Sequence, residues 1–401
     1  MNDPSVDVDV NGDGYADLVG ATVLDGSLHL YQIWGGPDFF ADVSVSRNDY
    51  RDVDSESEGA PSHPVMVGDV DGDGFSDVAT FWLREGLLHG VELWHGGEMG
   101  LGLTQVELVP VQNSGVASSG EVVWVGDVSC DGVSDVALNP LPLDSGVNVD
   151  SFLLRFGPDG SDPDWVRTDE VIRGVGDVNG DGCDDLFVGH QLFLGSADGP
   201  QATDFGQPVA DYSMYARTPI ERPYDLNGDG LADFFFDGDW YLGSAAGLPT
   251  RSRDPELVWM NARIGRPVVD LTGDGQLDYL AWDQNNSQVE GASIGAWLFR
   301  YVVGRDPRVL SEEQLGREVG WAVVPPLVYQ DSNGVDYPNA EQRYLGSPGD
   351  IDGDGFADVL ADGRLNAFGT VLRGGRRFKA VADTLVPHAA AGWVGVYDNR
   401  R

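Results

Sequence analysis

The sequence is poor in positive charge and in long apolar runs. It has 24 lysines and arginines against 66 aspartates and glutamates, which gives a formal net charge of −42, and Lys379 is the only lysine. Binding to nucleic acid or to anionic membranes depends on a basic face, so neither partner is expected. No apolar run approaches the roughly 18 residues that a membrane span requires. Met1–Ser5 has neither the basic start nor the apolar stretch of a signal peptide.

Cysteine is also scarce, because the chain has only Cys130 and Cys183. Two buried free thiols are the simpler interpretation. A disulfide in an oxidising compartment is the alternative, and it requires two Cα atoms about 4.4–6.8 Å apart. Long segments with helical periodicity are missing as well. With 55 glycines and 22 prolines, the composition is typical of many short strands and turns.

What the sequence does have is one nine-residue acidic pattern written seven times. Every copy keeps aspartate at positions one, five and nine and glycine at position six. The first aspartates of successive copies are 45 to 80 residues apart. We call the copies the first to seventh acidic loops, and they are Asp9–Asp17, Asp69–Asp77, Asp127–Asp135, Asp177–Asp185, Asp225–Asp233, Asp270–Asp278 and Asp350–Asp358.

Clustered carboxylates in so short a loop repel one another unless a cation neutralises them. Ca²⁺ takes six to eight oxygen ligands at about 2.3–2.6 Å in a tolerant geometry. We therefore predict up to seven Ca²⁺ ions with a mainly structural role. In each loop the ligands are the side chains at positions one, three, five and nine, the last one bidentate, and the backbone carbonyl at position seven. The predicted ligands are Asp9, Asn11, Asp13, Tyr15 and Asp17; Asp69, Asp71, Asp73, Phe75 and Asp77; Asp127, Ser129, Asp131, Val133 and Asp135; Asp177, Asn179, Asp181, Cys183 and Asp185; Asp225, Asn227, Asp229, Leu231 and Asp233; Asp270, Thr272, Asp274, Gln276 and Asp278; Asp350, Asp352, Asp354, Phe356 and Asp358.

Two copies depart from the pattern. The third loop has Ser129 and Cys130 at positions three and four, and the sixth has Thr272 at position three. A hydroxyl still coordinates calcium, so we expect these two sites to be weaker or better hydrated.

The residues around each loop predict strands. No copy has the glutamate at position twelve that an EF-hand requires, and short apolar runs such as Asp185–Val188 follow the ninth position, as in buried strands. In the first unit we predict strands over Pro4–Val10, Asp17–Thr22, His29–Trp34 and Phe39–Val45. Four short strands in each of seven units predict an all-β fold, a seven-bladed β-propeller that forms one domain over residues 1–401. Its four strands per blade are antiparallel, and an acidic loop joins the first strand to the second.

A second repeated signature strengthens this prediction. The strand before the turn ends in Leu194-Gly-Ser-Ala-Asp-Gly199 in one unit and in Leu242-Gly-Ser-Ala-Ala-Gly247 in the next. Together with the acidic loop, this turn resembles the FG-GAP (VCBS-like) repeat of integrin α-subunit propellers and their bacterial relatives. The resemblance implies a seven-bladed propeller with calcium on one face. It also implies a secreted or cell-surface protein that serves adhesion and recognition; if this chain is exported, its signal segment is absent here.

Enzyme signatures are weak. The six histidines show no metal-ligand spacing, and Gly291-Ala-Ser-Ile-Gly295 leads into a predicted strand rather than the helix that a nucleophile elbow needs. We therefore expect a monomeric, non-enzymatic module that binds an extracellular protein or glycan. Long connections such as Pro325–Gln342 are the candidate binding loops. Two alternatives stay open: a lectin with sugar pockets between blades, and the propeller of a polysaccharide lyase or hydrolase.

Overall fold

The computed structural model of the chain describes the following residues: 9–24, 27–39, 53–58, 65–84, 87–107, 117–142, 150–156, 164–197, 210–211, 225, 227–236, 239–246, 248–251, 267–269, 278–283, 297–302, 321–324, 328–330, 336–338, 342–363, 368–373, 384–387 and 393–394. Within them there is no helix, and so no helix long and apolar enough to cross a membrane. Eight small antiparallel sheets are present instead, which confirms the predicted all-β class.

The sheets in the first half of the chain have four strands each. The first contains β1 (Leu18–Leu24), β2 (Ser27–Ile33), β3 (Val53–Glu58) and, from the other end of the chain, β29 (Trp393–Val394). The second contains β4 (Val65–Gly68), β5 (Asp77–Arg84), β6 (Leu87–His95) and β7 (Gly102–Glu107). The third contains β8 (Ala117–Gly126), β9 (Asp135–Pro142), β10 (Ser151–Arg155) and β11 (Asp164–Thr168). The fourth contains β12 (Ile172–Gly176), β13 (Asp185–Val188), β14 (Gln191–Phe193) and β15 (Ala210–Asp211).

The second half continues the series less regularly. A three-stranded sheet contains β16 (Phe234–Phe236), β17 (Asp239–Leu242) and β18 (Thr250–Arg251). A four-stranded sheet follows with β19 (Pro267–Val269), β20 (Asp278–Asp283), β21 (Trp297–Val302) and β22 (Trp321–Val324). A separate hairpin consists of β23 (Val328–Gln330) and β24 (Asp336–Pro338). The last sheet contains β25 (Gln342–Gly349), β26 (Asp358–Gly363), β27 (Phe368–Leu372) and β28 (Thr384–Pro387).

Acidic loops join the first and second strands of these sheets, as predicted. The second loop connects β4 to β5, the third β8 to β9, the fourth β12 to β13 and the seventh β25 to β26. In the second, third and fourth loops the ninth aspartate is followed by a run that is buried on both faces, as in Leu186, Phe187 and Val188 of β13. This pattern is typical of inner strands that are covered on both sides.

Apolar side chains of neighbouring sheets pack against each other in chain order. One cluster joins Val67 and Leu93 of the second sheet to Val136 and Leu154 of the third. Other clusters join the third sheet to the fourth and the fourth to β16 and β17. Full burial of such a side chain contributes roughly 1.5–3 kcal/mol, so stacking of successive sheets is a principal source of stability.

The first sheet is closed by the C-terminal end of the chain at one edge and departs from prediction at the other. Its β1 pairs with β29 from the C-terminal end, with Val19 opposite Val394, and its β2 pairs with β3 rather than with the predicted strand Phe39–Val45. Val10 lies in the first acidic loop and Phe39 lies in a turn, whereas residues 4–8 and 40–45 fall outside the described part. Local alternation marks a strand, but it does not specify the partner across a long connection.

Candidate metal centres

The first aspartate of each described loop accepts backbone hydrogen bonds that hold the loop in a tight curl. In the second loop Asp69 Oδ1 accepts hydrogen bonds from the backbone N–H of Gly72 at 2.6 Å and of Asp73 at 3.1 Å. Its Oδ2 accepts a third from Gly74 N–H at 2.8 Å. The first, fourth and fifth loops repeat these three bonds around their own first aspartates. The curl directs successive side chains toward one small space.

Glycine at position six is required by the backbone, not by crowding. Gly74 has φ +93°, and a Cβ added there would meet no atom within 4 Å. A positive φ is the conformation that L side chains disfavour. Position four also has positive φ, +76° at Gly72 for example, and in the third loop Cys130 takes it at +56°. Cys130 is the only non-glycine residue with positive φ in the described part of the chain.

The ninth aspartates, which we call the closing aspartates, fasten each loop to the rest of its sheet. Asp77 Oδ2 accepts a hydrogen bond from Val70 N–H, and Oδ1 accepts one from Gly96 N–H, both at 2.7 Å. Gly96 belongs to the turn that follows β6. The described closing aspartates outside the sixth loop are Asp17, Asp77, Asp135, Asp185, Asp233 and Asp358, and each is fully buried. Their fastening role was missed by the sequence analysis, which assigned them only to the metal.

Burial raises the pKa of several closing aspartates when no ion is bound. The pKa of Asp17 is raised to about 7, and those of Asp135 and Asp185 to about 8. In each case loss of hydration is the largest cause, and the other carboxylates of the same loop add to it. A cation in the loop would relieve this cost by stabilising the charged carboxylates.

The donor sets fit a calcium ion in the two loops that carry aspartate at position three. Oxygens of Asp69, Asp71 and Asp73 lie within 4.8 Å of one another, as do those of Asp350, Asp352 and Asp358. Asp352 Oδ1 is buried and has no hydrogen-bond partner in the described part of the chain. Such a set of clustered, hard oxygen donors suits Ca²⁺. In the third loop Ser129 Oγ is likewise buried without a described partner.

Not every predicted ligand is described. In the sixth loop Asp270, Thr272, Asp274 and Gln276 lie outside the described residues, and only the backbone of Asp278 is described, at the start of β20.

At position seven, whose backbone carbonyl is the predicted ligand, the side chains of Tyr15, Phe75 and Leu231 lie against a neighbouring loop.

The described loops lie side by side in a hydrogen-bonded series. The N–H at position eight of one loop donates to the carbonyl at position one of the loop before it. The five bonds are Ala16 to Asp350 at 2.9 Å, Ser76 to Asp9 at 3.2 Å, Ser134 to Asp69 at 2.7 Å, Asp184 to Asp127 at 2.9 Å and Ala232 to Asp177 at 2.9 Å. They connect the seventh loop to the first, and then the first to the fifth in chain order.

Neighbouring loops also touch through positions four and seven. A Cβ added to Gly12 would collide with the Phe75 side chain, and one added to Gly353 would collide with Tyr15. Between the third and fourth loops the same two positions hold Cys130 and Cys183, which form a disulfide with a Cα–Cα distance of 5.0 Å. The simpler expectation of two free thiols is therefore wrong, because the adjacent loops bring these positions into bonding range.

Two basic side chains beside the loops were also missed. His95 Nδ1 lies 3.0 Å from Asp71 Oδ2 and 3.7 Å from Asp77 Oδ1. Arg373 Nη2 lies 2.6 Å from Asp352 Oδ2 and 3.0 Å from Asp354 Oδ2. Each of these residues immediately precedes a Gly-Gly pair, and this shared sequence context is the feature from which both could have been found.

No protein-family model matches the chain, and a search of curated proteins finds no match.

Proposed function

We propose that the chain is a secreted or cell-surface, calcium-binding β-propeller that recognises a protein or glycan without enzymatic activity. The observation that carries this proposal is the series of acidic loops joined edge to edge by backbone hydrogen bonds. Loops that present carboxylates side by side need cations to offset their repulsion. Calcium bound in each loop would make the series rigid.

Three observations support a ring of seven blades. The loop series passes from the seventh loop to the first without a break and continues to the fifth. The second to fifth sheets pack face to face in chain order. The C-terminal β29 pairs with β1, so the two ends of the chain share one sheet. A sheet shared between the chain ends is how a closed circular array avoids free edges. The FG-GAP resemblance of the loops predicts the same arrangement.

The β23–β24 hairpin is the candidate recognition element. It lies in the connection from β22, the last strand of one sheet, to β25, the first strand of the next. Because antiparallel strands alternate in direction, this connection starts at the end of the sheet opposite the acidic loops. The hairpin forms a sheet of its own. Exposed additions to a rigid scaffold are frequent binding sites.

Removing the hairpin tests the proposal. Val328 and Pro338 are paired across the ladder, so replacing Tyr329–Tyr337 with Gly-Gly closes the gap without stretching the chain. The wild type and this variant are compared in calcium on a glycan array and on an array of secreted proteins. We expect the variant to lose the wild-type signal and to keep its melting temperature. The double variant Tyr329→Ala/Tyr337→Ala keeps the backbone of the hairpin, so as a control it separates the loss of these two side chains from the loss of the hairpin itself.

The alternatives give different results in the same assay. A signal confined to glycans and unaffected by removal of the hairpin would favour a lectin with pockets between blades. Incubation with acidic polysaccharides, followed by chromatography of the products, tests the lyase or hydrolase alternative. Cleavage that disappears on heat denaturation would contradict a non-enzymatic role.

A further inference from the structure

One position beside the acidic loops differs in chemistry from blade to blade. It is the residue just before the turn whose first N–H bonds to the closing aspartate. In the described sheets it is Trp34, His95, Arg155, Leu194 and Leu242, and before the Gly-Gly pair of the last sheet it is Arg373. Among the loops whose neighbouring residue is described, the second therefore stands alone in receiving a side chain with a nitrogen that can bind a metal ion.

The imidazole of His95 faces the carboxylates of that loop. Its Nδ1 lies 3.0 Å from Asp71 Oδ2 and 3.7 Å from Asp77 Oδ1, and all three ligand atoms lie within 4.8 Å of one another. Nδ1 itself is shielded from solvent, and its nearest partners are these two carboxylates. A nitrogen and two carboxylate oxygens that face one another at such distances can be bridged by one metal ion.

The spacing fits a small divalent ion. Zn²⁺ binds histidine nitrogen at about 2.0–2.1 Å and carboxylate oxygen at about 2.0–2.2 Å, so tetrahedral ligands lie about 3.3–3.6 Å apart. The two measured separations, 3.0 and 3.7 Å, lie just outside this range on either side, so small side-chain shifts would bring all three atoms to bonding distance of one ion. Imidazole suits zinc, copper and nickel, whereas calcium selects oxygen ligands. The nitrogen therefore distinguishes the second loop from its oxygen-only neighbours.

We propose that His95 Nδ1, Asp71 and Asp77 form a binding site for one divalent transition-metal ion, with water as the remaining ligand. The inference deepens the proposed calcium-binding role of the second loop: Asp71 and Asp77 are also predicted calcium ligands, so the two ions would compete there, and His95 adds the nitrogen that favours the transition metal. The seventh loop is the natural contrast. There Arg373 occupies the equivalent position and pairs with Asp352 and Asp354, and a guanidinium donates hydrogen bonds but does not bind metals.

Zinc titration of the calcium-free full chain tests the site by calorimetry. The wild type should bind one Zn²⁺ with a clear preference over Mg²⁺. Removing a residue that only hydrogen-bonds to a metal ligand typically weakens metal binding by about 10–100-fold. His95→Gln removes a ligand itself, so it should weaken zinc binding at least 10-fold. His190→Gln is the matched control, because His190 lies in the turn between β13 and β14, away from the cluster. It should leave the affinity unchanged.

A gain-of-site variant keeps the proposal testable if His95→Gln fails to fold. Arg373→His places an imidazole beside Asp352 and Asp358, which correspond to Asp71 and Asp77. The expected zinc stoichiometry rises from one to two. Visible absorption of the Co²⁺-loaded proteins gives an independent readout, because the d–d bands report nitrogen and oxygen coordination. The His95→Gln protein should lose the band of the second loop.

Several outcomes would overturn the inference. One is equal zinc affinity in wild type and His95→Gln, which would make His95 an ion-pair partner of Asp71 only. Another is the absence of zinc binding by the wild type. Calcium stoichiometry of the same proteins is measured separately, so a failure of the calcium proposal gives a distinct result: zinc bound in one site and no calcium bound elsewhere.

Discussion

The first and third acidic loops follow the same backbone path but are held to the next loop by different means. The first touches the second through Gly12 against Phe75, a contact without a covalent bond. The third is bonded to the fourth through Cys130 and Cys183. The third is also the described loop with the poorest ligand set, since Ser129 replaces the carboxylate or carboxamide at position three.

The difference indicates that two separate factors stabilise a loop of this shape. One is a counter-charge that neutralises its carboxylates, and the other is a contact that fixes its position against the neighbouring loop. The first loop depends on both, whereas a disulfide fixes the position of the third whatever its ion content. Cys130 must accept φ +56° for this, a strain of about 1–2 kcal/mol that the disulfide outweighs.

Calcium removal should have the largest effect. A site with a Kd about 10–100-fold below the free ion concentration contributes roughly 1.4–2.7 kcal/mol. Over seven loops, chelation should therefore lower the melting temperature by about 10–20 °C. Calorimetry with and without chelator measures the shift. Hydrogen exchange should show the first loop losing more protection than the third, and equal losses would remove the distinction between them.

Loss of a closing aspartate should have the next largest effect, and here we expect the first and third loops to behave alike. Asp17→Ala leaves the N–H groups of Val10 and Gly35 without their acceptor. At about 1–3 kcal/mol for each unsatisfied buried donor, we expect a loss of about 2–6 kcal/mol in urea denaturation without calcium. Asp135→Ala should behave similarly. The exposed Asp13→Ala is the control, and an equal loss there would argue against the fastening role.

Removal of the disulfide should have a smaller effect. The bridge closes a loop between residues 53 apart, which corresponds to about 4 kcal/mol in the chain-entropy model. In the variant Cys130→Gly/Cys183→Leu, glycine relieves the backbone strain at position 130. Leucine at position 183 then provides a contact like the one between Gly180 and Leu231 of the fourth and fifth loops. We expect a net loss of about 3 kcal/mol, measured in calcium by urea denaturation. Cys130→Ser/Cys183→Ser should lose about 1 kcal/mol more, because serine keeps the strain; a smaller loss would contradict this reasoning.

The pH dependence should be the most specific effect. The unfolded carboxyl has a pKa of about 3.9, whereas burial raises that of Asp17 to about 7 and that of Asp135 to about 8. A raised pKa means that the folded state binds the proton more tightly, so the stability from this proton is full below about pH 4 and is lost as pH rises through 7–8. The urea midpoint of the calcium-free protein should fall from pH 6 to pH 8.5. Saturating calcium should abolish the fall, and a fall that persists would contradict charge neutralisation by the ion.

The acidic loops and the strands after them could be predicted from sequence because their signals are local. The run Asp185–Val188 appears in the structure as a strand with the predicted bounds. The pairing of β2 with β3 and the position of His95 could not be predicted in this way, and the disulfide could only be left open as an alternative to two free thiols. Each depends on how segments far apart in the chain lie in space, and residue spacing along one strand carries no information about that.

The most direct test is the calcium content of the full chain, measured by equilibrium dialysis against millimolar calcium with metal analysis. Five loops carry aspartate or asparagine at position three, so we predict five tightly bound ions and two weaker ones, in the third and sixth loops. A protein that binds no calcium under these conditions while remaining folded would contradict the assignment of the acidic loops to calcium.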